Sequence, residues 1–193
     1  VSERVFVAVE LPPELRQALG HVRSEQPELT RALRWARPEG LHITLRFLGA
    51  AKPEQLEGLV HELSRLPAGP SCSLTCRGLG IFSSSARPRV LWAGVEGDTA
   101  ALAAVQDSVE RVCVGLGWPA DEQQYTPHTT LARARGKLAD RDALAALLDR
   151  RAGYVYSRFE VNGITLYASR SAPGGAIYLP LFRRALGEGG PPL

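Results

Sequence analysis

Leu41-His42-Ile43-Thr44-Leu45-Arg46-Phe47-Leu48-Gly49 alternates apolar and polar residues as a half-buried strand does, yet it carries a histidine on the polar side. As a strand it sends Leu41, Ile43, Leu45 and Phe47 into the core and sets His42, Thr44 and Arg46 on the opposite face. The same word recurs downstream, where Tyr125-Thr126-Pro127 leads into His128-Thr129-Thr130-Leu131 and on to Ala132-Arg133. Two of the four histidines thus share the pattern His-x-Thr-Leu, each with a hydroxyl two residues on and therefore on its own side of a strand. Arg133 has the opposite parity and reaches that side only if a bulge intervenes or the strand ends first.

One His-x-Thr arises often by chance, but two copies on strand-like backgrounds point to chemistry. Histidine gives or takes a proton near neutrality, so a pair can divide the work of acid and base. Threonine hydroxyls can donate to non-bridging phosphate oxygens. Two such pairs facing each other would hold one phosphorus centre, with one imidazole at the attacking oxygen and the other at the leaving oxygen. No carboxylate or cysteine lies within either motif, so a metal site is not expected.

The pair His42-Ile43-Thr44-Leu45 and His128-Thr129-Thr130-Leu131 resembles the two signatures of the two-histidine phosphoesterase superfamily. The wider context resembles its LigT-like branch, the RNA 2′,3′-cyclic phosphodiesterases, also called 2′-5′ RNA ligases. The likeness takes in Arg4 to Ala8, Leu33-Arg34-Trp35, Leu41 to Gly49, Pro88 to Val95, Pro127 to Arg133, Leu166 to Ser169 and Tyr178 to Leu181. It implies that His42 is the proton donor and His128 the acceptor, with no cofactor and with Thr44 and Thr130 steadying the phosphate. It makes phosphate contact by Arg133 plausible.

Composition fits this reading without adding much. Of 193 residues, 45% are hydrophobic and 22% charged, as in an ordinary globular protein, and the net charge of +3 leans only weakly toward an anionic partner. Only Lys52 and Lys137 are lysines; arginine matches phosphate with a two-pronged fork. No apolar run approaches a membrane span and no signal-peptide layout opens the chain, so the cytoplasm is the expected compartment. A monomer is expected. Cys72, Cys76 and Cys113 lack metal or redox spacing and read as core residues.

In chain order, helices are expected from Leu11-Pro12-Pro13 to Ser24, from Lys52 to Leu66, from Ala100 to Leu116 and from Asp140 to Arg151. His21 and His61 fall on or beside helix faces with no chemistry around them. Strands are expected at Val5 to Glu10, Leu33 to Trp35, Ser71 to Leu79 with Val90 to Val95, Tyr154 to Val161, Ile164 to Ser169 and Ala176 to Phe182, the second motif supplying another. Asn162-Gly163 reads as a hairpin turn and Phe82 to Arg89 as a loop in which Arg87 and Arg89 can hold RNA backbone. The expected fold is α+β and bilobal over residues 1–186: two mainly antiparallel sheets related by a pseudo-two-fold, helices outside, a cleft between, and a flexible tail at 187–193.

The activity expected is metal-independent hydrolysis of RNA 2′,3′-cyclic phosphate ends, tRNA fragments included, or of cyclic nucleotides. Alternatives are 2′-5′ end joining or 3′-end trimming by the same acid and base, and non-catalytic RNA or nucleotide binding. Arg46, Arg87, Arg89, Arg133 and Tyr125 are the candidate substrate contacts. Of the aromatics, Tyr125 is a candidate to stack on a base and Phe47 is assigned to the core.

Overall fold

Period-two alternation and proline-led helices produce the elements that the patterning implies. In the computed structural model, residues 3–67, 69, 71–84, 87–136, 141–173 and 175–187 are described, residues 84, 87 and 88 by backbone alone. The order is β1 (Glu3–Glu10), α1 (Pro13–Ser24), β2 (Leu33–Trp35), β3 (His42–Ala51), α2 (Pro53–Ser64), β4 (Cys72–Ser84), β5 (Arg87–Gly97), α3 (Thr99–Gly115), β6 (His128–Ala134), α4 (Arg141–Arg151), β7 (Val155–Val161), β8 (Gly163–Ala172) and β9 (Gly175–Ala185). Pro13 and Pro53 start their helices, where the missing N–H costs nothing. Asp140 and the tail from Glu188 onward lie outside the described residues.

The strands pair antiparallel in the order β7-β4-β5-β6-β3-β1-β8-β9, with β2 added against β6. The fold is α+β, as expected, but the two sheets of the sequence reading are joined edge to edge. β3 and β6 meet through the pair Ile43 and Thr129, and each motif strand belongs to its own half. On one side stand β3, β1, β8 and β9, on the other β6, β5, β4 and β7.

One face of this sheet carries the core. Val5, Val7 and Val9 of β1 pack with Leu15, Leu19 and Val22 of α1, Leu59 and Leu63 of α2, Leu102 and Val109 of α3, and Leu144 and Leu147 of α4. Each such side chain contributes about 1.5–3 kcal/mol by leaving water. Among the described residues the other face bears no α-helix, and it holds a small aromatic group, Phe6 and Tyr167 with Tyr178 against them. Cys76 and Cys113 are buried on the core side, where burial pushes each thiol up to about 12. No helix among the described residues is long and apolar enough to cross a membrane.

Two local expectations fail. Asn162-Gly163 is not a hairpin turn: β7 pairs with β4 at one edge of the sheet, whereas β8 lies between β1 and β9 in the other half. The dipeptide marks the crossing between halves. Gly163 is needed because β9 comes too close for a side chain, a Cβ there falling 2.7 Å from the Arg184 carbonyl oxygen. The segment read as a loop from Phe82 to Arg89 is instead mostly ladder, with Phe82 opposite Val90 and Ser84 opposite Arg87.

Candidate active site

The Ile43–Thr129 register sets His42 opposite Thr130 and Thr44 opposite His128, all four on the helix-free face. The histidines therefore stand on a diagonal of one antiparallel ladder, roughly 7–8 Å apart between Cα atoms. Their electrostatic coupling agrees, since His128 is among the groups that lower the His42 pKa.

Both rings are held in the same way. Nδ1 of His42 lies 2.7 Å from the Gly40 carbonyl oxygen, and Nδ1 of His128 lies 2.7 Å from that of Thr126. A carbonyl only accepts, so each Nδ1 carries the proton and each Nε2 is left as the nitrogen free for chemistry. The Gly40 carbonyl comes from the short 3-10 turn Pro38–Gly40, and Pro127 stiffens the approach to His128.

Aromatic rings wall each imidazole. Phe6 lies 4.7 Å from the His42 ring by centroids, and Tyr178 meets it edge-on at 5.2 Å. Phe82 meets His128 edge-on at 4.8 Å, with Trp92 at 6.4 Å. Glycines make room on both sides. A Cβ on Gly80 would fall 2.2 Å from the Trp92 ring, and one on Gly40 would fall 3.1 Å from the Tyr178 ring. Burial lowers the His42 pKa to about 4 despite the opposing hydrogen bond that Nδ1–H donates to the Gly40 carbonyl, and lowers that of His128 as well, with the nearby Arg133 charge acting in the same direction.

Each motif strand carries a bulge directly after its threonine. In β3, Thr44 pairs with Ala8 and Arg46 with Val7, leaving Leu45 unpaired; in β6, Thr130 pairs with Trp92 and Ala132 with Leu91, leaving Leu131 unpaired. A bulge inverts the alternation beyond it. Arg46 thereby turns to the core side, 8% exposed, where its Nε is 2.7 Å from Glu110 of α3 and Nη1 is 3.3 Å from Asp121. The Glu110 contact is an ion pair rather than an aligned hydrogen bond, and Nη2 donates to the Pro119 carbonyl. Arg46 is thus not a groove residue.

The same inversion brings Phe47 out, 51% exposed, on the histidine face beside Arg4, whose guanidinium sits 5.7 Å from the ring centre. Phe47 is no core residue. Tyr125 takes the converse place: it packs against the core with its hydroxyl buried, and burial pushes its pKa up. In β6 the inversion carries Arg133 onto the face of His128 and Thr130. Arg89 is exposed and is skipped by the register, which pairs Ser83 with Pro88 and Phe82 with Val90. The Arg87 side chain lies outside the described residues. Among the described residues no three His, Cys, Asp or Glu side chains gather as metal ligands.

A family model described as LigT like Phosphoesterase matches residues 9–92 and 94–178, a span that takes in both histidine strands. The chain belongs to the LigT-like phosphoesterases. Among its relatives is an RNA 2′,3′-cyclic phosphodiesterase of Aeropyrum pernix, 34% identical over 144 residues, 75% of this chain and 81% of that one. Another, of the same name, is from Escherichia coli, 31% identical over 186 residues, 95% of this chain and 97% of that one. The crystal structure of Escherichia coli LigT complexed with 3′-AMP superposes with a TM-score of 0.78 at 29% identity, covering 96% of this chain and 99% of that one.

In this LigT-like phosphoesterase four residues of the groove face escape a reading of the motifs. Tyr178, Phe82 and Trp92 reach the imidazoles from strands remote in sequence. Arg34 lies on three-residue β2, opposite Arg133 and between buried Leu33 and Trp35. Alternation along so short a strand is the one sequence signal that could have placed Arg34.

Proposed function

We propose that this chain hydrolyses the 2′,3′-cyclic phosphate at an RNA end to a 2′-phosphomonoester, with His128 as base and His42 as acid. The observation that carries the reading is the pair of imidazoles on one diagonal, each with Nδ1 tied to a backbone carbonyl and Nε2 left open. Water attacks phosphorus and passes a proton to Nε2 of His128 as the bond from phosphorus to the 3′ oxygen breaks. Nε2–H of protonated His42 gives its proton to that departing oxygen, leaving a 3′ hydroxyl. Proton exchange with solvent then resets both rings.

The deep burial of His42 supports this division of labour. His42, with a pKa of about 4, is a strong acid once protonated and a poor base. An anionic phosphate in the groove raises its protonated fraction, because a negative charge favours the imidazolium. Thr44 and Thr130 donate to the non-bridging oxygens, and Arg133 offsets the charge that grows there. Phe47 offers an exposed ring on which the terminal base can stack.

The naming of the Aeropyrum pernix and Escherichia coli relatives as RNA 2′,3′-cyclic phosphodiesterases supports this substrate. We assign it to a single copy of the chain, with cleaved tRNA ends among the substrates. The test is turnover of a nucleoside 2′,3′-cyclic phosphate in EDTA by the wild-type chain, His42→Ala and His128→Ala. Activity is expected for the wild type alone, each histidine being worth roughly 10²–10⁴ in rate. Near wild-type turnover in either variant would defeat the mechanism.

A further inference from the structure

Arg34 and Arg133 are directly opposed on the β2–β6 ladder. Paired residues there lie about 4.5–5.5 Å apart between Cα atoms, and like charges so placed repel. Leu33 and Trp35 on either side of Arg34 are buried at 3% and 8%, so alternation puts Arg34 on the groove face with Arg133. Among the described residues neither guanidinium has a carboxylate partner.

Some arginines of this chain stand beside carboxylates, Arg16 and Arg183 by Glu10, Arg46 by Glu110 and Asp121, Arg77 by Glu96, Arg151 by Glu25 and Arg170 by Glu3, and many surface arginines do not. What sets Arg34 and Arg133 apart is that the ladder holds the two cations face to face, where an anion between them would relieve the repulsion. Tyr178 links this pair to the reacting centre. Its ring meets His42, and its phenol, raised by burial, is pulled back by Arg133 and Arg34. The β2–β6 pairs lie beyond Thr130 along β6, away from His128, and Arg34 stands there on the strand across from Arg133. Arg133 shares its strand with His128 and Thr130, and Arg34 is the cation one strand further along the groove.

An RNA ending in a cyclic phosphate carries its next negative charge on the 5′ side of the same ribose. We propose that Arg34 forms a second phosphate subsite, taking the phosphodiester that joins the terminal nucleotide to the one before it. The inference rests on the function proposed above. It makes the groove a reader of RNA ends rather than of cyclic mononucleotides.

The experiment compares wild type with Arg34→Gln on three substrates: adenosine 2′,3′-cyclic phosphate, a diadenosine with the same cyclic end, and that dinucleotide with a neutral methylphosphonate linkage. Arg34→Gln is expected to lower kcat/KM about tenfold on the charged dinucleotide, through KM, a charge-assisted contact being lost. On the other two substrates the change is expected to stay within about twofold. Arg34→Lys should recover part of the loss. An equal fall on all three substrates would assign Arg34 to the reacting phosphate and overturn the proposal, as would no fall on any. A wild-type chain inactive on all three would remove the phosphodiesterase reading itself, and this subsite with it. Unfolding midpoints of the variant are expected to match or exceed wild type, since a like-charge contact is relieved.

Discussion

Replacing His42 by glutamine should make the protein less sensitive to acid. In the folded chain burial holds the His42 pKa at about 4, and in the unfolded chain it returns to about 6.5. Between those values the unfolded state binds a proton that the folded state does not, so stability falls as pH falls through the window. Integrated for one group, the loss is about 2 kcal/mol by pH 5 and about 3 kcal/mol by pH 4. Solvent at the groove edge of the ring brings the latter toward about 2 kcal/mol. Glutamine does not titrate there, so His42→Gln lacks this component. The assay is urea unfolding of both proteins at half-unit steps from pH 7 to pH 4. The stability difference should move by about 2–3 kcal/mol in favour of the variant as pH drops. Parallel curves would refute a desolvated His42.

Since both histidine pKa values are lowered, kcat/KM should be greatest below pH 6.5 and fall about tenfold per unit above it, with the kcat profile displaced upward by the bound anion. A pH–rate series on a cyclic mononucleotide checks this, and a flat kcat/KM from pH 6.5 to 8 would contradict it. Arg46→Met strands Glu110 and should cost about 3 kcal/mol in urea unfolding while leaving kcat of the folded fraction near wild type; adding Glu110→Leu should recover most of the loss. Phe47→Ala should reduce kcat/KM on an RNA end by about tenfold with an unchanged unfolding midpoint, one base stack being worth about 1–3 kcal/mol. Gly80→Ala drives a methyl into Trp92 and should cost about 1–3 kcal/mol by urea unfolding, with kcat falling as the wall of His128 shifts.

The four motif positions were legible because their information is local. Alternation placed His42 with Thr44 and His128 with Thr130 on one face, and the structure keeps both pairs. What lay beyond the bulges was not legible. Nothing in Leu45-Arg46-Phe47 breaks the alternation; the slip at Leu45 is a property of the register against β1. One unpaired leucine therefore exchanged the faces of Arg46 and Phe47, and its counterpart at Leu131 brought Arg133 to the groove. Asn162-Gly163 misled for a similar reason, since a local turn signal says nothing about which neighbour a strand chooses across the sheet. Tyr178 and Phe82 were hidden by distance along the chain.

The matching bulges have a consequence for regiochemistry. A cradle with perfect two-fold symmetry would accept a five-membered phosphate ring in two degenerate orientations, and either ester oxygen could be expelled. Beyond the unpaired leucine one strand offers a flat hydrocarbon ring at Phe47 and the other a cation at Arg133. On the function proposed above, that inequality, together with the deep burial of the His42 ring, would rank the two orientations, and with it which of the two oxygens leaves.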